Sequence, residues 1–169
     1  MIYHVGNYEV RREWIDSLDK VKDSTCGMEL APETRHKYAK YADAGYEQCH
    51  IRFKVSQCTR PPVCELWKNP AFLLIRQEPG HMLPIHVDEL EPYKTQHGVQ
   101  EFWQNLIFLE DWKRGQVFGV ENSVIVDWKK GDTICWKGMT EHYLVNASLT
   151  HIDLLQVISS NDPTQEILQ

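Results

Sequence analysis

After Gly45 the sequence breaks into short apolar or alternating runs, each closed by Gly, Pro, Asn or Asp. "CHIRFKVSQ" alternates, "NPAFLLIRQEPG" is a compact apolar run with turn residues at both ends, and "EFWQNLIFLED" is another. "GQVFGVENSVIVDWKKGDTICW" reads as three short strands with turns at Asn122-Ser123 and Lys130-Gly131-Asp132, and "THIDLLQVISS" reads as the last strand. About seven or eight short strands with turn signals every ~8–12 residues describe a sandwich or barrel. No strand–helix–strand alternation is visible, which argues against a parallel doubly wound sheet. The expected fold is mainly β, a double-stranded β-helix (jelly roll), preceded by amino-terminal helices.

Those helices are expected where apolar residues recur at helical spacing. Val10, Trp14, Leu18 and Val21 do so between Tyr8 and about Lys22. A second helix is expected from Pro32, which suits a first helical position, to about Ala44, just before Gly45. The chain of 169 residues suits a single domain. Its expected parts are a helical support region over 1–48, a jelly-roll core over about 49–159 and a frayed or peripheral tail over 160–169.

Eighteen basic and twenty-four acidic residues leave a net charge of −6, the opposite of a nucleic-acid binder's footprint. The longest apolar runs, such as "AFLLI", are too short to span a bilayer, so no membrane partner is expected. The amino terminus has no apolar core of signal-peptide length, and the cysteine count, five, is odd. Both features point to reduced thiols and a cytoplasmic location. Cys49, His50, Cys58 and Cys64 lie near one another but lack the short C-x-x-C pairs of structural zinc, so small buried side chains are the expectation there.

The chemistry concentrates in "RQEPGHMLPIHVDE". If Leu83 to Asp88 is extended, His86 and Asp88 point to one face, because side chains alternate with period two. An imidazole and a carboxylate side by side make two-thirds of a facial metal site. A strand-end His followed by a turn-capping Asp is the bland alternative. The third ligand would be His142, reached through "KKGDTICWKGMTEH" and followed by the strand "YLVNAS". Two imidazoles and one carboxylate leave about half of an octahedral sphere open, as oxygen-activating iron requires. His81, five residues before His86, has the wrong strand parity to join them.

In the order of these features the chain resembles the Fe(II)/2-oxoglutarate-dependent dioxygenase superfamily, especially its prolyl-4-hydroxylase-like branch. That family's motif is His-x-Asp and, about fifty to sixty residues on, His; here His142 follows Asp88 by 54 positions. "RQEPGHMLPIHVDE", "LIFLEDWKRGQVF", "WKKGDTICW", and "HYLVNAS" followed by "HIDLLQVIS" resemble the flanking strands and turns over about residues 72–159. The resemblance implies that His86, Asp88 and His142 hold Fe(II), that 2-oxoglutarate is the co-substrate, and that O2 is consumed in hydroxylating a C–H bond. The implied substrate is a prolyl or other peptide side chain, or a small molecule.

The family usually carries an Arg or Lys about nine to twelve residues after the distal His, where it pairs with the far carboxylate of 2-oxoglutarate. "NASLTHIDLLQV" has neither. His151 and Arg76 are the candidates for that cofactor-binding role, with Thr150, Gln104 or Asn105 as neutral helpers; the plain reading of His151 is a partly buried His beside Asp153. The missing cation favours the alternative of a cupin-like metal enzyme that does not use 2-oxoglutarate. A non-catalytic jelly-roll binding module is a further alternative. Trp103, Trp112, Trp128 and Trp136 are expected to fill sheet faces, Trp136 close enough to His142 to line the site. Tyr93 and His97 are expected on a solvated loop.

Overall fold

The computed structural model describes residues 1–11, 13, 25–26, 52–54, 66–77, 79–80 and 82–164. Among the described residues eleven strands and one complete helix follow in chain order: β1 (Ile2–Asn7), β2 (Thr25–Cys26), β3 (Arg52–Lys54), β4 (Ala71–Gln77), β5 (Met82–His86), α1 (Glu91–His97), β6 (Trp103–Phe108), β7 (Gln116–Val120), β8 (Ser123–Ile125), β9 (Asp132–Lys137), β10 (His142–Asn146) and β11 (Ile152–Ser159). They form a seven-stranded sheet, β1-β9-β6-β11-β4-β3-β2, facing a four-stranded sheet, β5-β10-β7-β8. Every described pairing is antiparallel. This is the jelly roll that the spacing of turn residues predicts.

The two sheets read differently in sequence because they are covered differently. Leu106, Phe108, Ile134, Trp136 and Leu154 of the large sheet face Phe118, Val120 and Leu144 of the small one across the main core. The outer face of the large sheet is covered as well: Leu74, Ile107, Leu155 and Val157 pack under Val10 and Trp67. All eight residues of β11 are therefore buried, and the strand reads as a nearly unbroken apolar run. β10, covered on one face, alternates buried and half-buried positions. Full burial of a side chain such as Leu106 or Phe108 contributes about 1.5–3 kcal/mol. Phe108 also stacks on Trp128 with ring centroids 4.3 Å apart.

Four local features differ from, or add to, the sequence reading. First, Ile2–Asn7 forms an edge strand on β9, and the backbone N–H of Tyr8 donates to the Gly131 carbonyl at 2.8 Å. Residues 8–11 are thus irregular rather than the start of a helix. Second, Glu91–His97 is a helix rather than a loop. Pro92 sits in its first turn, and Gly98, at φ 64°, ends it by donating to the carbonyl of Thr95. Third, the chain beyond β11 is tied down through Asn161, which accepts from the Lys68 backbone N–H at 2.7 Å and donates to the Leu66 carbonyl at 3.0 Å. Fourth, Gly131 has φ 88°, and a β-carbon there would come within 2.6 Å of the Asn7 side chain, so the Gly-Asp turn before β9 needs glycine.

Glu13, within the expected helix over 8–22, is helical; the rest of that helix, the helix over 32–44, the Cys49, His50, Cys58 and Cys64 cluster, and His81 lie outside the described residues. Among the described residues no helix is long and apolar enough to cross a membrane.

Candidate metal centre

β5 and β10 are neighbours in the small sheet, and their register sets His142 directly opposite His86. The ladder shifts by one residue between His142 and Leu144, so the irregularity lies at the histidines themselves. The two imidazole centroids are 4.1 Å apart. Strand β5 ends at His86, and Asp88 lies two residues beyond it, in the segment before α1. Its Oδ1 is 3.6 Å from His86 Nε2, and its Oδ2 is 3.5 Å from His142 Nε2. One ligand atom from each of the three residues lies within 4.8 Å of the other two. The structure therefore brings together His86, Asp88 and His142.

The donor set suits a divalent ion. Bonds of about 2.0–2.2 Å to adjacent ligands of one ion require donor atoms roughly 3 Å apart, close to the spacings seen. His142 Nδ1 lies 3.0 Å from the Thr140 carbonyl oxygen. A carbonyl only accepts, so Nδ1 carries a proton there, and Nε2 is the nitrogen that meets the Asp88 carboxylate and that an ion would use. Burial pushes the Asp88 carboxyl up, but the hydrogen bond and charge of His142, the charge of His86 and a hydrogen bond from Gln156 outweigh it. Its pKa is held below the ordinary value, so the group is a carboxylate at neutral pH. One negative charge between two imidazoles is the electrostatic complement of a divalent cation.

The three side chains stand at a cavity of about 580 Å³, mouth included, between the two sheets. Leu73, Ile75, Leu106 and Leu154 line it from one side, and Leu83, Phe118 and Leu144 from the other. Gln156 is the polar contribution of β11 to this wall, and its amide donates to Gln104 Oε1 as well as to Asp88. Sequence reasoning missed Gln156. The available signal was parity: Leu154 and Ile158 are apolar on the same face of β11, so an amide between them marks a polar requirement in the core. Trp136 lines the cavity with its ring centroid 5.3 Å from that of His142, as its position in the sequence suggests.

Arg76 and His151 do not reach this cavity. Leu73 and Ile75 occupy the inward positions of β4, so Arg76 projects from the opposite face. There it forks onto Asp153, its cross-strand partner, through Nε–Oδ1 and Nη2–Oδ2 contacts of 2.7 Å each. His151 lies beside the same carboxylate, with Nε2 3.4 Å from Asp153 Oδ2 and 3.6 Å from Glu110 Oε1. Strand parity thus sets both expected cofactor-binding residues, Arg76 and His151, outside the cavity that Asp88 lines, each beside Asp153. The inward positions of β11 nearest the expected cation are Ile152 and Leu154, both apolar. Of the neutral helpers, Gln104 faces the interior, Asn105 bonds the Val157 carbonyl and Ser159, and Thr150 is exposed. Among the described residues lining the cavity there is no Arg or Lys.

No family model matches the chain. No curated protein matches it. Solved structures that align with it include the cupin domain of Cnp3 from Schizosaccharomyces pombe, 11% identical over 68% of this chain and 67% of that one, with a TM-score of 0.45. An RmlC-like cupin protein from Desulfovibrio desulfuricans is 16% identical over 65% and 82% of the two chains, with a TM-score of 0.43. A cupin 2 conserved barrel domain protein from Salinispora arenicola is 12% identical over 72% and 85%, with a TM-score of 0.41.

Proposed function

We propose that this protein is a mononuclear non-haem Fe(II) oxygenase that hydroxylates a C–H bond. The observation that carries the reading is the convergence of His86, Asp88 and His142 at the edge of a mostly apolar cavity. Iron in such a setting supplies Lewis acidity and redox chemistry toward O2. The chain's own residues do the rest. His86 and His142 present imidazole nitrogens across one ladder, and Asp88 supplies the charge. Thr140 fixes the His142 tautomer, and Gln156 orients the carboxylate. Leu106, Phe118 and Leu154 keep bulk water from the cavity.

The order of the motifs from "IHVDE" to His142 supports 2-oxoglutarate as co-substrate. A second reading, a cupin-like metal enzyme that does not use it, is favoured by one observation: Ile152 and Leu154 stand where a cation would meet the far carboxylate. The two readings separate in one assay. Protein loaded anaerobically with Fe(II), then given 2-oxoglutarate and O2, releases succinate under the first reading, and His86→Ala abolishes the release. Iron-loaded protein that consumes no 2-oxoglutarate supports the second.

A further inference from the structure

The lining of the cavity divides into a polar pole and an apolar body. Its polar members are His86, Asp88 and His142 together with Gln156, which bonds Asp88, so they gather at one place. Every other described residue of the lining is Leu, Ile, Phe or Trp. The ladders make the change abrupt. Gln156 of β11 faces Leu73 of β4 and Leu106 of β6. The next inward positions of β11 on either side of it, Leu154 and Ile158, are apolar, and both line the cavity. A ligand whose head lies at the three candidate metal ligands therefore meets hydrocarbon whichever way its body runs.

We infer that the cavity selects a monoanion with a chelating oxygen head and an apolar body, and that Leu73, Leu106, Leu154 and Ile158 set this choice. The inference rests on reading His86, Asp88 and His142 as a metal centre, and it sides with the form of that reading that does not use 2-oxoglutarate. The charge of the head follows from the donor set. Ligating imidazoles are neutral, so a divalent ion held with the Asp88 carboxylate leaves one net positive charge, which one anionic group balances. About half of an octahedral sphere stays open on two imidazoles and a carboxylate, which is room for a head with two oxygens. The charge of the body follows from the wall. A second anionic group, such as the far carboxylate of 2-oxoglutarate, would be buried among Leu73, Leu106 and Leu154, and no Arg or Lys stands among the described residues of the lining. It would lose its hydration without gaining an ion pair, whereas hydrocarbon gains by leaving water.

The test compares four probes on the full-length chain loaded with Co(II), with binding read calorimetrically and from the visible absorption of the ion. Pyruvate carries the head alone. The probe 2-oxoisocaproate adds a branched hydrocarbon to that head, and 2-oxoglutarate adds a carboxylate at similar length. Methyl isobutyl ketone keeps the hydrocarbon and one oxygen but lacks the anionic head. Binding of 2-oxoisocaproate should be roughly tenfold or more tighter than that of pyruvate, from burial of the added hydrocarbon. Binding of 2-oxoglutarate should be no tighter than that of pyruvate. The ketone should bind at least roughly tenfold more weakly than 2-oxoisocaproate. Leu73 is half-buried, and Leu73→Ala should weaken 2-oxoisocaproate several-fold while leaving pyruvate unchanged; if that variant does not fold, the order of the four probes on the wild type decides. The inference is overturned by 2-oxoglutarate binding as tightly as 2-oxoisocaproate, by the ketone doing so, or by 2-oxoisocaproate binding that Leu73→Ala leaves untouched. Wild-type protein that takes up no Co(II) overturns the metal reading and this inference with it, whereas Co(II) uptake without the expected order overturns this inference alone.

Discussion

His142 faces His86 across the β5–β10 ladder with ring centroids 4.1 Å apart, and both imidazoles turn a nitrogen toward Asp88. Two neighbouring strands thus deliver side chains that are 56 positions apart in sequence to one point. A ladder is a rigid support, and the Thr140 carbonyl holds one ring in the tautomer a metal needs. Precision of this kind is ordinary for a site built on strands rather than on loops.

Gln156 should act on the metal through Asp88. Its amide bonds that carboxylate and Gln104, so Gln156→Leu removes one partner without touching an imidazole. Loss of such an outer partner lowers metal affinity roughly 10–100-fold. Competitive Co(II) titration against a chelating dye measures it; an affinity equal to wild type would show that the bond does not orient Asp88.

Gly119 should tolerate no side chain. It pairs with Tyr143, the residue after His142, and a β-carbon there would lie 2.1 Å from the tyrosine ring. Gly119→Ala is expected to cost about 1–3 kcal/mol in urea unfolding, the range for overpacking. Recovery in the double variant Gly119→Ala, Tyr143→Ala would locate the clash; no recovery would place the cost elsewhere.

Asn146 holds the end of β10 to the chain leading into β11. Its amide nitrogen donates to the carbonyls of Gln77 and Thr150 at 2.9 and 2.8 Å, and its oxygen accepts from the Ser148 hydroxyl at 2.6 Å. Asn146→Ala leaves these buried groups unmet and should destabilise by roughly 1–3 kcal/mol or more. An unchanged urea midpoint would contradict this.

Stability should fall in alkali. Burial, with Asp162 adding to it, pushes the Cys135 thiol up to about 12 from an ordinary 9.0. Burial pushes the Tyr93 phenol up to about 12 from 10.0, against a hydrogen bond from Ser160. Between the ordinary and the raised values the unfolded chain has released these protons and the folded chain retains them. The folded state then binds more protons, so stability declines as pH rises, by up to about 1.4 kcal/mol per pH unit for each group. The decline begins above about pH 9 with Cys135 and steepens above about pH 10 with Tyr93. Urea midpoints at pH 7.5, 9 and 10.5 measure the effect, and Cys135→Ala should lessen the slope; midpoints that do not move would refute the assignment.

Most of the jelly roll was legible because its signals are local. Turn residues such as Lys130-Gly131-Asp132 bracket β9, and the apolar runs of β4, β6 and β11 record burial on both faces of the large sheet. The triad was legible because period-two parity puts His86 and Asp88 on one face. The same rule, applied to Arg76 against Leu73 and Ile75, would have turned Arg76 outward, but it needs to be known which face is inside. Edge strand β1 was missed because its partner, β9, lies far along the chain and its own residues alternate only weakly. Helix α1 was missed because a short polar segment carries little apolar periodicity, and its Pro and Gly suit a loop equally well.

The most direct test of the account is an anaerobic titration of the full-length chain with Fe(II) or Co(II), repeated on His86→Ala, Asp88→Ala and His142→Ala. The account predicts one ion per chain in the wild type and a loss of affinity greater than 100-fold in each variant, beyond the roughly 10–100-fold expected for an outer partner. Binding that persists in all three variants, or no stoichiometric binding by the wild type, would contradict it.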